Sequence, residues 1–178
     1  MALLDLTIPE PSLVVLIGPS GSGKSTFAAK HFSPTEVVSS DACRAIVADD
    51  ENELTVTAAA FRVLHSIARE RLRFGKLTVI DATSVRPSSR KPLLALAGKR
   101  SRPTVAIVFD LPVALCLKRN EERRHRQVPA SVVRLQWAEM HDSLPRLRDE
   151  GFGYVYVLDS VKAVEAATIV RKHPVTAI

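Results

Sequence analysis

The nine residues Gly18-Pro19-Ser20-Gly21-Ser22-Gly23-Lys24-Ser25-Thr26 follow directly on the apolar run Leu13–Ile17. They fit G-x-x-x-x-G-K-[ST], and they sit where that pattern has physical meaning, between a strand and a helix. Glycines let backbone N–H groups turn inward around a phosphate, and the following helix presents its positive end. Lys24 can then bridge the β- and γ-phosphates, and the Ser25 hydroxyl can ligate Mg²⁺ or Mn²⁺. Gly21, Ser22, Gly23 and Thr26 complete the predicted nucleotide-binding set. A chance match in a Gly/Ser turn is the bland alternative, and the flanking strand and helix argue against it. A guanine-reading Asn-Lys-x-Asp is absent, and no Asp-x-x-Gly follows the third strand, so ATP or another NTP as donor is favoured over GTPase switching.

Around this loop the chain alternates short β-branched runs with longer amphipathic stretches. Strands are expected at 13–17, 36–38, 77–80, 104–109 and 154–158. Most lack strict alternation, as strands covered on both faces do. Helices are expected after Lys24, over about 55–74, 88–97, 112–124 and 131–144, and after Ser160. The pattern predicts an α/β fold: an open parallel sheet of about five strands with helices on both faces. Ligands of such sheets bind beyond the carboxyl ends of the strands. At 178 residues the whole chain, 1–178, reads as one domain.

Other classes drop out. Cys43 and Cys116 form no CxxC pair, which suits a reduced cytoplasmic setting, and no histidine stands at zinc-ligand spacing. No apolar run approaches the length of a membrane span, and the first residues, broken by Asp5, Pro9 and Pro11, make a poor signal peptide.

Asp41, in Ser39-Ser40-Asp41-Ala42-Cys43-Arg44, ends the second strand and can accept a proton from an attacking hydroxyl. Arg44, three residues on, can clamp an anionic acceptor. The plainer reading makes Asp41 an N-cap and Arg44 a solvated neighbour. Asp81 ends the third strand. It can hold a Mg²⁺-bound water, orient Arg44, or merely cap the next turn. Arg119, Arg123 and Arg126 recur at helical spacing, so one face of a lid over about 118–129 can carry three guanidiniums toward a phosphoryl group. A solvated outer helix is the rival reading, with Glu121 and Glu122 as partners. The acid-free run Arg86, Arg90, Lys91, Lys99, Arg100 and Arg102 is a solvated surface or a track for a phosphate backbone. Trp137 reads as core. Residues 1–80 hold 8 Lys/Arg against 9 Asp/Glu, and residues 81–178 hold 17 against 10. The positive half points to an anionic partner.

With these residues placed, the chain resembles the kinase module of bacterial polynucleotide kinase–phosphatases, the end-healing enzymes of RNA repair. The segments that carry the likeness are GPSGSGKSTFA, SSDACR, DDENELTVTAAAFRVLHSIARERLRFGKLTVIDAT, RNEERRHRQVP and EGFGYVYVLDS. The resemblance implies a P-loop NTPase of the adenylate-kinase-like kind with an arginine-bearing lid. It implies transfer of the γ-phosphate of ATP, with Mg²⁺, to the 5′-hydroxyl end of RNA or DNA during repair. In that pattern Lys24 and Ser25 are phosphate and metal ligands, and Asp41 is the general base. Arg44 is the acceptor-side arginine, Arg119 and Arg123 are the lid pair, and Val132 lies on the polynucleotide side. Ser84 stands where the family pattern has Asn. Relatives continue into phosphatase and ligase-like modules, so the chain is an excised domain or a free-standing relative, with room for a homodimer. Two rivals remain: a small-metabolite P-loop kinase, and a nucleotide-gated nucleic-acid-binding module without transfer chemistry.

Overall fold

The computed structural model describes residues 4–123 and 127–173. Its chain order begins with β1 (Leu4–Pro9), β2 (Leu13–Ile17), α1 (Lys24–His31), β3 (Val37–Ser39) and α2 (Ser40–Ala48). It continues with α3 (Thr57–Arg73), β4 (Thr78–Asp81), α4 (Pro87–Gly98), β5 (Thr104–Phe109), α5 (Val113–Glu121) and α6 (Ala130–Ser143). It closes with α7 (Leu147–Glu150), β6 (Tyr154–Leu158), α8 (Val161–Ala166) and β7 (Ala167–Lys172).

Five strands form a parallel sheet in the order β3-β4-β2-β5-β6. The α/β expectation therefore holds. Every residue of β2, β4 and β5 is buried, because helices cover both faces. Leu13, Val15 and Ile17 face one core with Ala60, Leu64, Ala68 and Leu72 of α3 and Leu93 and Ala97 of α4. Val14 and Leu16 face the other, with Phe27 and Ala28 of α1, Phe109 and Leu158. The four-residue spacing along α3 gives it one apolar stripe, and its end is turned back at Gly75, whose N–H donates to Leu72 O. α4 starts with Pro87 at its first position, where a missing N–H costs nothing.

β2 has β4 on one side and β5 on the other, so the strand order reverses at its carboxyl end. Loops leaving neighbouring strands diverge there and leave a crevice. That is where residues 18–24 sit.

Two strands were not foreseen. β1 and β7 pair in parallel from Leu4↔Ala167 to Pro9↔Lys172 as a separate two-stranded ribbon. Leu6 and Ile8 alternate inward and are fully buried in the second core. Arg171 of β7 donates to both carboxylate oxygens of Glu36 at 2.7 and 2.8 Å, and Tyr156 Oη donates to Thr7 O at 2.8 Å. A further correction concerns the helix expected over 112–124, which stops at Glu121. Arg123 therefore lies past its end, and the three-arginine helical face does not form. Arg126 and the middle of the expected lid lie outside the described residues.

Candidate active site

The loop after β2 is shaped by close packing against α5. A Cβ on Gly21 would stand 2.1 Å from the Cys116 carbonyl oxygen, and Gly21 has φ +82°. No other residue fits both demands. Gly23, with φ +93°, turns the chain into α1.

Lys24 begins α1 but its amine turns back into the loop. It donates to Gly18 O at 2.8 Å, Pro19 O at 2.9 Å and Ser22 Oγ at 3.3 Å. The side chain is 7% exposed. Its pKa is lowered from 10.5 to about 8, chiefly by burial and in part by Arg123, against the raising influence of Asp81, Cys116 and Asp41. A phosphate entering the loop meets an amine already desolvated and aimed at the loop's centre.

Asp81 ends β4 beside Ser39 of β3 and is 8% exposed. It caps no turn. The Ser25 hydroxyl hydrogen-bonds it, while burial pushes its carboxyl up against the pull of Ser25 and Lys24. A desolvated carboxylate joined to the motif's serine fits a divalent cation, which relieves the charge that burial penalises. Among the described residues no three acidic, histidine or cysteine side chains gather into an all-protein cage.

Ser39, not Asp41, caps α2: its Oγ accepts the Ala42 N–H at 3.3 Å. Asp41 is ion-paired to Arg44 one turn on. Nor is Arg44 a solvated neighbour. It is 4% exposed, and its Nε donates to Glu51 O at 2.9 Å, tying α2 to the acidic segment that follows.

Arg119 Nη1 would lie 3.6 Å from a Cβ on Gly23, so its guanidinium sits over the loop. Arg123 lines the cleft. Between them Asn120 is buried and clips the far side of the turn: its Nδ2 donates to Val128 O at 2.7 Å, and its Oδ1 accepts the Val128 N–H at 3.1 Å. Sequence reasoning passed over Asn120, although a buried amide just before the RxxxR turn is the one polar side chain able to satisfy a backbone pair. It also passed over Gln136, whose Oε1 accepts the Ser20 N–H at 2.9 Å. A lone Gln on an amphipathic helix carries no signal of its own.

The basic run after β4 divides. Arg90 is fully buried; its Nη2 and Nε donate to Glu150 at 2.5 and 2.7 Å, and its Nη1 donates to Ser84 O and Val85 O. Arg86 pairs with Glu139, and Arg102 donates to Leu72 O. Only Lys91, Lys99 and Arg100 remain from that run as exposed cations without such bonds, so the expected phosphate-backbone track is half consumed by internal structure. Ser84 has φ +48°, a left-handed conformation that Asn tolerates better than Ser. Trp137 is only partly core: it donates to Leu111 O at 3.1 Å and stacks on His141, which bonds Asp110 at 2.9 Å. Cys43 and Cys116 are buried, unpaired thiols, and burial pushes both up in pKa.

Lys24, Ser25, Asp41, Arg44, Asp81, Arg123 and Val132 all line one cleft of about 620 Å³. Leu54 and Gln136 line the same cleft. A family model described as an AAA domain matches residues 13–147, three quarters of the chain.

The chain belongs to that family.

It is a P-loop kinase domain. Among solved structures, the Pnkp1/Rnl/Hen1 RNA repair complex matches with a TM-score of 0.67 at 22% identity, over 79% of this chain and 47% of that one. The kinase domain therefore spans about half the length of that relative. The complex AvrRxo1-ORF1:-ORF2 with ATP matches at 0.61 and 17% identity, over 79% of this chain and 50% of that one. A gluconokinase from Sinorhizobium meliloti matches at 0.55 and 18% identity, over 89% and 90%. No curated protein matches the kinase domain by sequence. None of its described helices is long and apolar enough to cross a membrane.

Proposed function

We propose that this kinase domain is a polynucleotide 5′-hydroxyl kinase acting in RNA or DNA end repair, with ATP as donor. The observation that carries the reading is the lining of the cleft: the Asp41–Arg44 pair shares it with Leu54, 65% exposed, and the exposed Val132. An anion clamp flanked by exposed apolar side chains suits a phosphodiester with its nucleobase better than a hydrated polyol. The sequence resemblance to the kinase module of polynucleotide kinase–phosphatases supports the same choice.

In the mechanism, loop N–H groups and Lys24 hold the donor's β- and γ-phosphates. Ser25, and Asp81 through water, would hold Mg²⁺ or Mn²⁺, which when bound neutralises charge across the phosphates. Asp41 accepts the proton of the 5′-hydroxyl as its oxygen forms a bond to the γ-phosphorus and the bond to the ADP oxygen breaks. Arg44, paired with Asp41 and anchored on Glu51 O, grips the adjacent phosphodiester. Arg119 and Arg123 offset charge developing on the phosphoryl group. Phosphatase or ligase modules belong to a longer parent chain, if one exists.

A small-metabolite kinase remains the second reading. It is favoured by the internal pairing of Arg86, Arg90 and Arg102, which removes much of the charge argument for a polynucleotide. One assay separates the two. γ-labelled ATP and Mg²⁺ are offered with a 5′-OH oligonucleotide, its 5′-phosphate counterpart, or gluconate. Label on the 5′-OH strand alone is the expected result, and Asp41→Ala should abolish it while ATP still binds. Label on gluconate with a silent oligonucleotide refutes the proposal.

A further inference from the structure

Gln136 has no part in the mechanism above, yet it joins the two halves of the cleft. It stands on α6 one turn after Val132, and both side chains line the cleft. Its carboxamide oxygen accepts the Ser20 N–H at 2.9 Å, across 116 residues of chain. Ser20 follows Gly18 and Pro19, whose carbonyls grip the Lys24 amine. Since the lysine of this motif reaches the β- and γ-phosphates, Ser20 lies at the terminal-phosphate end of the loop. The N–H groups that cradle the inner phosphates come later, toward the start of α1.

Most N–H groups in such a loop are left to the ligand. Here one is held instead by a side chain from the helix that carries Val132. The loop's outer end and α6 therefore keep a fixed spacing through a single hydrogen bond. Among the described residues no acceptor bonds the Gln136 amide nitrogen, so Ser20 is its defining contact.

We propose that Gln136 is a positioning residue for phosphoryl transfer, fixing the terminal-phosphate end of the loop from α6 and so registering the donor against an acceptor seated on that helix. This rests on the proposed function, in which the acceptor lies against Val132 of α6. Placement errors on the order of 1 Å cost about 100-fold in rate, so the effect should appear in kcat rather than in overall nucleotide binding.

The test compares Gln136→Met, similar in length but without the acceptor oxygen, with Gln136→Asn, which keeps the amide but falls one methylene short. ADP and ATP affinities, thermal unfolding, and transfer from ATP to a 5′-OH oligonucleotide are measured for each. For both variants we expect ADP affinity within about twofold of the parent, the preference for ATP over ADP reduced about fivefold, and kcat reduced about 10- to 100-fold. Parental kcat in Gln136→Met overturns the proposal. So does an equal weakening of ATP and ADP accompanied by a lowered Tm, which marks a packing role. If Gln136→Met does not fold, Gln136→Asn is read by the same criteria. If the parent transfers nothing to the oligonucleotide, the proposed acceptor is wrong, while the change in ATP-over-ADP preference still decides the role of Gln136.

Discussion

Replacing Lys24 by Met should make the nucleotide-free protein more stable at about pH 7, even though it removes the residue on which donor binding depends. The reason lies in the buried amine. Its pKa falls from 10.5 to about 8, chiefly because burial disfavours the ammonium. At 1.36 kcal/mol per pKa unit this amounts to about 3 kcal/mol of cost in the folded state. Methionine removes that cost and fills much of the same space. It also leaves the Gly18 and Pro19 carbonyls and the Ser22 hydroxyl without their donor, at about 2 kcal/mol in all, the 3.3 Å contact to Ser22 being the weakest. The net gain is about 1 kcal/mol, or a Tm higher by about 2–4 °C for a chain of this size.

The sign then depends on pH. Below about 8 the folded and unfolded chains both hold the Lys24 proton, and the full cost is present. Between about 8 and 10.5 the unfolded chain holds a proton that the folded one has released, so the wild type gains stability as pH rises. By about pH 9.5 it has recovered about 2 kcal/mol, and Lys24→Met should be the less stable protein by about 1 kcal/mol. Denaturant or thermal unfolding of both proteins across this range, without nucleotide, tests it. Titrations of groups remote from Lys24 are common to the pair and cancel in the difference, whereas Asp81 and Cys116 feel its charge. A stability gap that keeps one sign and size from pH 7 to 9.5 refutes the argument.

Three further outcomes follow from the same site and its supports. ATP binding should weaken as pH rises through about 8 and should take up a proton near that pH, because phosphate favours charged Lys24; calorimetry in buffers of different ionisation enthalpy measures this. Asp81→Asn should preserve the fold yet raise the Mg²⁺ concentration needed for half-maximal activity and lower kcat by about 100-fold, read from a Mg²⁺ titration of turnover. Glu150→Ala strips Arg90, fully buried, of its carboxylate and should cost about 3–5 kcal/mol, lowering Tm by roughly 10 °C in a thermal melt.

The strands of the central sheet were legible because those covered on both faces, β2, β4 and β5, demand apolar, β-branched runs. Residues 104–109 and 154–158 coincide with β5 and β6. The loop was equally plain, since glycine at positions 21 and 23 and lysine at 24 answer steric and charge demands that few alternatives meet. Asp41 and Arg44 could be placed three residues apart on a helix, with Asp81 at a strand end. β1 and β7 escaped notice because each gains its partner only from the opposite end of the chain.

What the sequence settled by itself was local: the strands, the phosphate-binding turn, and which side chains stand at carboxyl ends. Only the tertiary structure decided which charges were available to a ligand. Arg86, Arg90 and Arg102 look alike in sequence with Lys91, Lys99 and Arg100, yet the first three are bound to Glu139, Glu150 and Leu72 O. Arg44 is buried against Asp41 rather than solvated, and Gln136 reaches Ser20 across the cleft. The physical reason is that covalent spacing dictates local conformation. The partner of a long polar side chain depends instead on elements brought together from distant parts of the chain, and local pattern carries no record of that.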